Sequence, residues 1–213
     1  MPLYKRNQLE TAISSVLARS SREPKSEFLS RLKRLLETDR AFGRASRAND
    51  PQRSSYAFHS YDPPGSGNEI WYSEYEVFAL LVGIQLMEHG WPQSFAVSVL
   101  RRLRPDMEKH HARILKQDAQ KLFDQDALRR NARPGDFAFN NTDPVLLTIV
   151  MKPRIARSEL NEPYKCEICR GAEESLRFIG EAGGGGAMFE LVGLAHALSA
   201  ALKPTEPQRR GRS

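Results

Sequence analysis

Apolar residues return at helical spacing from the start of the chain. Leu9, Ile13, Val16 and Leu17 mark one face of a short amphipathic helix over residues 5–19. Ser20 to Glu23 is a polar break. Pro24 suits a first helical turn, and Phe28, Leu32, Leu35, Leu36 and Phe42 carry the same period over 24–42, with Gly43 as the stop. The outer positions of this second helix hold Lys25, Arg31, Lys33, Arg34 and Arg40.

After a polar stretch at 44–55 the period changes to two. Tyr56-Ala57-Phe58-His59-Ser60-Tyr61 alternates like a strand, Asp62 to Asn68 contains two prolines and two glycines and has to turn, and Glu69 to Tyr72 returns. Residues 56–72 therefore read as a β-hairpin. Ser73 and Glu76 have the spacing of a capping box and open a helix through Val77, Phe78, Leu80, Leu81, Ile84 and Met87. Gly90 ends it, and Trp91-Pro92 opens another with Phe95, Val99, Leu100 and Leu103 inward. Phe78, Leu81, Ile84, Phe95 and Val99 are expected to be buried together. Pro105 marks a further start, with Met107, His111, Ile114, Leu115 and Leu122 along a helix over 105–123.

The last third has a different texture. Val145 to Met151 is a continuous apolar strand between Pro144 and Pro153, and Ser175 to Ile179 and Met188 to Leu191 read as two more. Gly183 to Gly186 reads as a turn, and Val192 to Leu202 as a closing helix. The fold class is α+β, with domains at 1–123 and 144–203, a linker over 124–143 and a basic tail over 204–213 expected to be disordered.

Composition sharpens this picture mainly through charge. Residues 1–53 hold twelve Lys/Arg against six Asp/Glu, and the rest of the chain holds twenty of each, so the whole net charge of +6 is N-terminal. Such placement points to an anionic partner for the first quarter of the chain, nucleic acid first among them. No apolar run approaches the roughly 18 residues of a membrane span, and the two cysteines make no disulfide scaffold. A cytoplasmic protein without a membrane partner is the expectation.

The order of helix, polar turn, basic helix, hairpin and two helices separated by Gly90-Trp91-Pro92 carries a resemblance. Trp71-Tyr72-Ser73-Glu74-Tyr75-Glu76-Val77 through Ile84, then Met87-Glu88-His89-Gly90-Trp91-Pro92 and Val99-Leu100, resembles the winged helix-turn-helix proteins of the MerR type over about residues 5–122. Leu35, Leu36 and Glu37 stand where that family usually has Arg-Tyr-Tyr, the hairpin loop is longer, and Trp71 stands where an arginine is common. The resemblance implies an N-terminal winged helix-turn-helix that binds double-stranded DNA. It also implies a homodimer joined through the helix that begins at Pro105.

A helix entering the major groove needs an apolar inner face to fix its angle and cations on its outer face. Lys25, Arg31, Lys33, Arg34 and Arg40 are the candidates for that face, and Arg44, Arg47 and Arg53 for contacts with flanking phosphates. Other chemistry is thinner. Cys166-Glu167-Ile168-Cys169 has the spacing of half a zinc site, but no second pair completes four ligands, so two ordinary thiols in a turn are expected. His110-His111 with Asp106 and Glu108 reads as a polar helix face. Gly183 to Gly186 lacks the Lys-Ser/Thr of a phosphate loop. No catalytic constellation, metal site or cofactor is expected.

Three functions remain in view. The first is a DNA-binding transcriptional regulator with a C-terminal domain that senses an effector or meets a protein partner. The second is a protein–protein interaction adaptor of winged-helix-like fold without DNA contact. The third is a small-molecule binder using the C-terminal half.

Overall fold

The computed structural model describes residues 2–18, 23–45, 48–63, 69–135, 137–152 and 163–203. Arg47, the tip of the expected hairpin at 64–68 and the tail at 204–213 lie outside the described residues. The chain is α+β and divides into two compact units, one of Met1–Glu108 with Ala197–Ser213 and one of Lys109–His196.

In the first unit β1 (Leu3–Lys5) runs directly into α1 (Arg6–Ala18), followed by α2 (Ser26–Ala41) and the single turn α3 (Pro51–Ser54). β2 (Trp71–Ser73) leads directly into α4 (Glu74–Glu88), and α5 (Gln93–Ile114) follows. The expected capping box is present in full: the Glu76 amide donates to Ser73 Oγ at 3.2 Å and the Ser73 amide to Glu76 Oε2 at 2.7 Å. α4 is apolar nearly all round, with eleven of its fifteen residues buried, so it forms the centre of this unit. Leu9 and Ile13 of α1, Leu32 and Leu35 of α2, and Val97 and Leu100 of α5 are buried in the same core. Gly90, with φ of +85°, reverses the chain between α4 and α5.

The hairpin over 56–72 does not form. β2 pairs antiparallel with β1 instead, with Tyr4 opposite Tyr72, and residues 56–61 take no part in a ladder. The reason lies in where their backbone groups are bonded. Asp39 accepts the Ala57 and Phe58 amides, each at 3.1 Å, while Arg104 Nη1 donates to the carbonyls of Tyr56 at 2.7 Å and His59 at 2.8 Å. Side chains of α2 and α5 thus take the groups that a strand would have paired.

Pro105 does not start a new helix; it lies inside α5, which runs unbroken to Ile114. Arg101 and Arg104, just before the proline, are both anchored to the rest of the unit and hold that turn in place. The helix expected over 105–123 is instead divided, with α6 (Ala119–Leu122) capped by Asp118 after a break. Of the five residues expected to share the core, Phe78, Leu81, Ile84 and Val99 are fully buried. Phe95 is only half-buried and stacks on Trp91 with ring centroids 4.6 Å apart.

The second unit contains the end of α5, α6, α7 (Gln125–Asn131), β3 (Val145–Met151), β4 (Tyr164–Arg170), α8 (Gly171–Ala182), β5 (Gly185–Glu190) and the start of α9 (Val192–Leu202). The sheet is antiparallel in the order β4-β3-β5. β3 is apolar and buried on both faces, as its unbroken hydrophobic run requires. Residues 175–179 are not a strand but the middle of α8. Glu173 and Glu174 stand in its first turn and Gly183 closes it in the left-handed conformation. α8 packs on the sheet, where Thr148 Oγ1 donates to Ser175 Oγ at 2.8 Å.

The glycine run is not a simple turn either. Gly185 and Gly186 belong to β5, and a Cβ at Gly186 would stand 2.7 Å from Ile179 of α8. At Gly184 it would stand 2.3 Å from the Met151 carbonyl oxygen. These glycines let helix and strand approach closely.

Candidate nucleic-acid interface

The spacing of leucines in α2 fixes how the helix is rolled. Leu32, Leu35 and Leu36 face the core, and Asp39 continues that stripe as a carboxylate. Four cations lie on the helix outside that stripe, Arg34 opposite it and Arg31, Lys33 and Arg40 on its flanks, and Lys25 is the residue before the first turn. Lys25, Lys33, Arg34 and Arg40 are exposed and Arg31 is half-buried. Arg31 bonds Glu27 one turn earlier at 2.6 Å, and Lys33 faces Glu37 one turn later at 3.6 Å. Arg31 and Lys33 are therefore each paired along the helix, by exposed contacts of the kind that contributes about 0.5 kcal/mol.

Asp39 is held by a residue that the sequence reading passed over. Arg101 Nε donates to Asp39 Oδ1 at 2.6 Å, its Nη2 to the Asp39 carbonyl, and its Nη1 to the Gly43 carbonyl at 2.7 Å. The Arg101 guanidinium also lies over the rings of Phe42 at 5.5 Å and Tyr56 at 5.2 Å. Arg104 sits one turn on, with Nη2 on Ser60 Oγ at 3.1 Å and 3.8 Å from Glu76 Oε1. Both arginines occupy positions of the apolar stripe of α5, among Val97, Leu100, Leu103 and Met107. A cation at a stripe position was the available signal, since a buried arginine requires a buried partner.

Arg44 and Arg53 come together at the far end of α2. The Ala45 amide donates to the Arg53 carbonyl at 2.8 Å, joining the segment after α2 to α3. Between them lies a groove of about 510 Å³ with Arg44 and Arg53 in its walls and Arg101 and Phe42 also lining it. Arg44 pairs with Asp62 at 3.1 Å and stacks on Tyr56 at 5.7 Å. Burial and the adjacent Asp62 carboxylate push the Tyr56 hydroxyl above its ordinary pKa. The fold thus places the candidate cations in two groups, one along α2 and one around the groove.

The remaining candidates do not assemble a site. Cys166 and Cys169 lie in β4 rather than in a turn, and residues three apart on a strand point to opposite faces. His111 is not on a polar face: it is buried, and desolvation lowers its pKa to about 4. Among the described residues no group of three or more His, Cys, Asp and Glu could hold a metal ion, and no helix is long and apolar enough to cross a membrane. No family model and no curated protein matches the chain.

Proposed function

We propose that the first unit is a DNA-binding module of winged helix-turn-helix type resembling the MerR family, and that the protein is a transcriptional regulator. The observation that carries this reading is the fixed roll of α2. Leu32, Leu35, Leu36 and the buried Asp39–Arg101 pair hold one side against the core, so Lys33, Arg34 and Arg40 are left exposed on the rest of the helix surface, with Lys25 exposed just before its first turn. A recognition helix needs this division between an anchored face and a cationic one. The succession β1–α1–α2 and then β2–α4, with β1 and β2 paired, keeps the order of elements of that type, although the two-stranded wing over 56–72 does not form.

Double-stranded DNA read by paired half-sites suits a two-fold protein, so the regulator is proposed to act as a homodimer. Met107, His111, Ile114 and Leu122 are already buried within one chain, so of the seam expected from Pro105 onward only the half-buried Leu115 is left to contribute to such a contact. The second unit is left for an effector or a protein partner.

The test is binding of a mixed-sequence duplex across a salt series. A regulator loses affinity steeply, with a log–log slope near −0.9 per phosphate neutralised. The combined variant Arg31→Ala, Lys33→Ala, Arg34→Ala is expected to weaken binding without unfolding the chain. Full affinity in that variant at fixed salt removes α2 as the recognition element.

The Glu27–Arg31 and Lys33–Glu37 pairs favour a second reading, an interaction adaptor whose α2 merely faces solvent. Glu27→Gln with Glu37→Gln separates the two. It strengthens duplex binding by a DNA-reading helix and leaves an adaptor without measurable affinity.

A further inference from the structure

We propose that the groove between the end of α2 and α3 is a phosphate-binding site, with the Arg44 and Arg53 guanidinium groups as its two ligands. The proposal rests on the nucleic-acid reading only for the source of the phosphate, a duplex backbone or a nucleotide.

The groove is open to solvent, and the Ala45–Arg53 backbone bond joins its two walls. Its volume of about 510 Å³ falls within the range of small-molecule sites, so a phosphate can enter with the sugar attached to it. Among the described residues its lining includes three arginines and no carboxylate. Arg101 does not provide the charge, because Asp39 matches it. Its side chain is only 2% exposed and serves as a rigid floor. The ligands are the two arginines above that floor.

Arg53 is exposed, and its side chain has no hydrogen bond or ion pair to any described residue. Its backbone is nevertheless fixed, since its carbonyl accepts the Ala45 amide and its own amide donates to the Asp50 carbonyl at 3.0 Å. With the backbone already fixed, binding has to order only the Arg53 side chain. Arg44 faces Asp62, but that carboxylate is largely exposed, and an exposed ion pair of this kind is weak. A phosphate bound by two guanidinium forks makes more charge-assisted bonds than the single Arg44–Asp62 contact it would displace.

Phe42 completes the site. It also lines the groove, is 49% exposed, and has the Arg101 guanidinium over its ring at 5.5 Å. An apolar plate next to two guanidinium groups suits a sugar or base joined to a phosphate better than it suits an acidic side chain.

The experiment uses the full chain labelled with nitrogen-15 and three probes: adenosine 5′-monophosphate, adenosine, and a peptide of glutamates. The nucleotide is expected to shift the amides of Gly43, Ala45, Gln52 and Arg53, and adenosine is expected not to. Arg44→Gln with Arg53→Gln should weaken nucleotide binding at least tenfold with an unchanged melting temperature. Asp62→Asn, which leaves Arg44 unopposed, should tighten it several-fold. Equal shifts with adenosine, unchanged affinity in the double variant, or stronger shifts with the glutamate peptide overturn the proposal. A duplex titration then identifies the source. If the phosphate belongs to a DNA backbone, the double variant lowers the log–log salt slope by about 2. Nucleotide binding in a chain that binds no duplex keeps the groove as a nucleotide site and removes the DNA reading.

Discussion

Arg101 and Asp39, 62 positions apart in the chain, meet at 2.6 Å with side chains 2% and 0% exposed. Through this pair the end of α2, the loop at Gly43, the backbone of 57–58 and the middle of α5 share one set of hydrogen bonds. The roll of α2, and with it the direction of its cations, depends on that contact.

Removing one partner strands the other. Asp39→Ala leaves a buried guanidinium and the Ala57 and Phe58 amides unmatched, so a loss of about 3–5 kcal/mol is expected in urea denaturation. Asp62→Ala, which breaks the exposed Arg44 pair, should cost no more than about 1 kcal/mol. Similar costs for the two would show that the buried network is not what fixes the unit.

His111 should make stability depend on pH. Burial holds its folded-state pKa near 4, below the ordinary 6.5, so the unfolded chain takes up a proton that the folded chain refuses. Stability is full above pH 6.5, falls as pH drops through the window, and levels off below 4. Between pH 7 and 5 the loss is about 2 kcal/mol. His111→Leu should flatten the urea midpoint over that interval, and an equal fall in variant and parent would assign the effect to other groups.

Much of the fold was legible where the deciding information is local. The capping box at Ser73 and Glu76, the turn at Gly90 and the apolar run of β3 each depend on neighbours within a few residues. The failures have long-range causes. Tyr56 to Tyr61 alternates like a strand, yet its amides and carbonyls are taken by Asp39 and Arg104, 18 and 48 positions away for the bonds to Ala57 and Tyr56. Ser175 to Ile179 is apolar enough for a strand, but the acidic first turn at Glu173 and Glu174 and the left-handed Gly183 bound a helix around it. At the candidate site the outward cations of α2 could be read from period alone. The groove could not, because it brings Arg44 and Arg53 against Arg101 from another helix.

Two glycines of the second unit should respond to alanine with opposite signs. At Gly184 the new Cβ would stand 2.3 Å from the Met151 carbonyl oxygen, a backbone atom that cannot swing away. A loss of about 1–3 kcal/mol is expected. Gly180 lies inside α8 with nothing near its Cβ position, so Gly180→Ala should stabilise by about 0.5–1 kcal/mol. Thermal melting of both variants checks the pair, and destabilisation by Gly180→Ala would mean that α8 is not a helix at that position.

The cysteine pair offers the last test, because its spacing suggests joint chemistry and its geometry prevents it. Cys166 stands opposite Ile149 and Cys169 opposite Leu146 in the β3–β4 ladder. Three residues of strand separate their Cα atoms by about 10 Å, beyond the span of a disulfide, and send the two side chains to opposite faces. Cys169 is buried beside Thr148 and Ser175, and desolvation raises its thiol pKa. Cys166 is only half-buried. A thiol-specific reagent should therefore modify Cys166 in the folded protein and reach Cys169 only as fast as the chain unfolds. Mild oxidation should yield no bond between them, and replacing both by serine should leave the metal content unchanged. Mass spectrometry of the labelled peptides decides it: a Cys166–Cys169 disulfide formed under native conditions, or equal labelling rates, would place these residues in a turn and undo the assignment of β4.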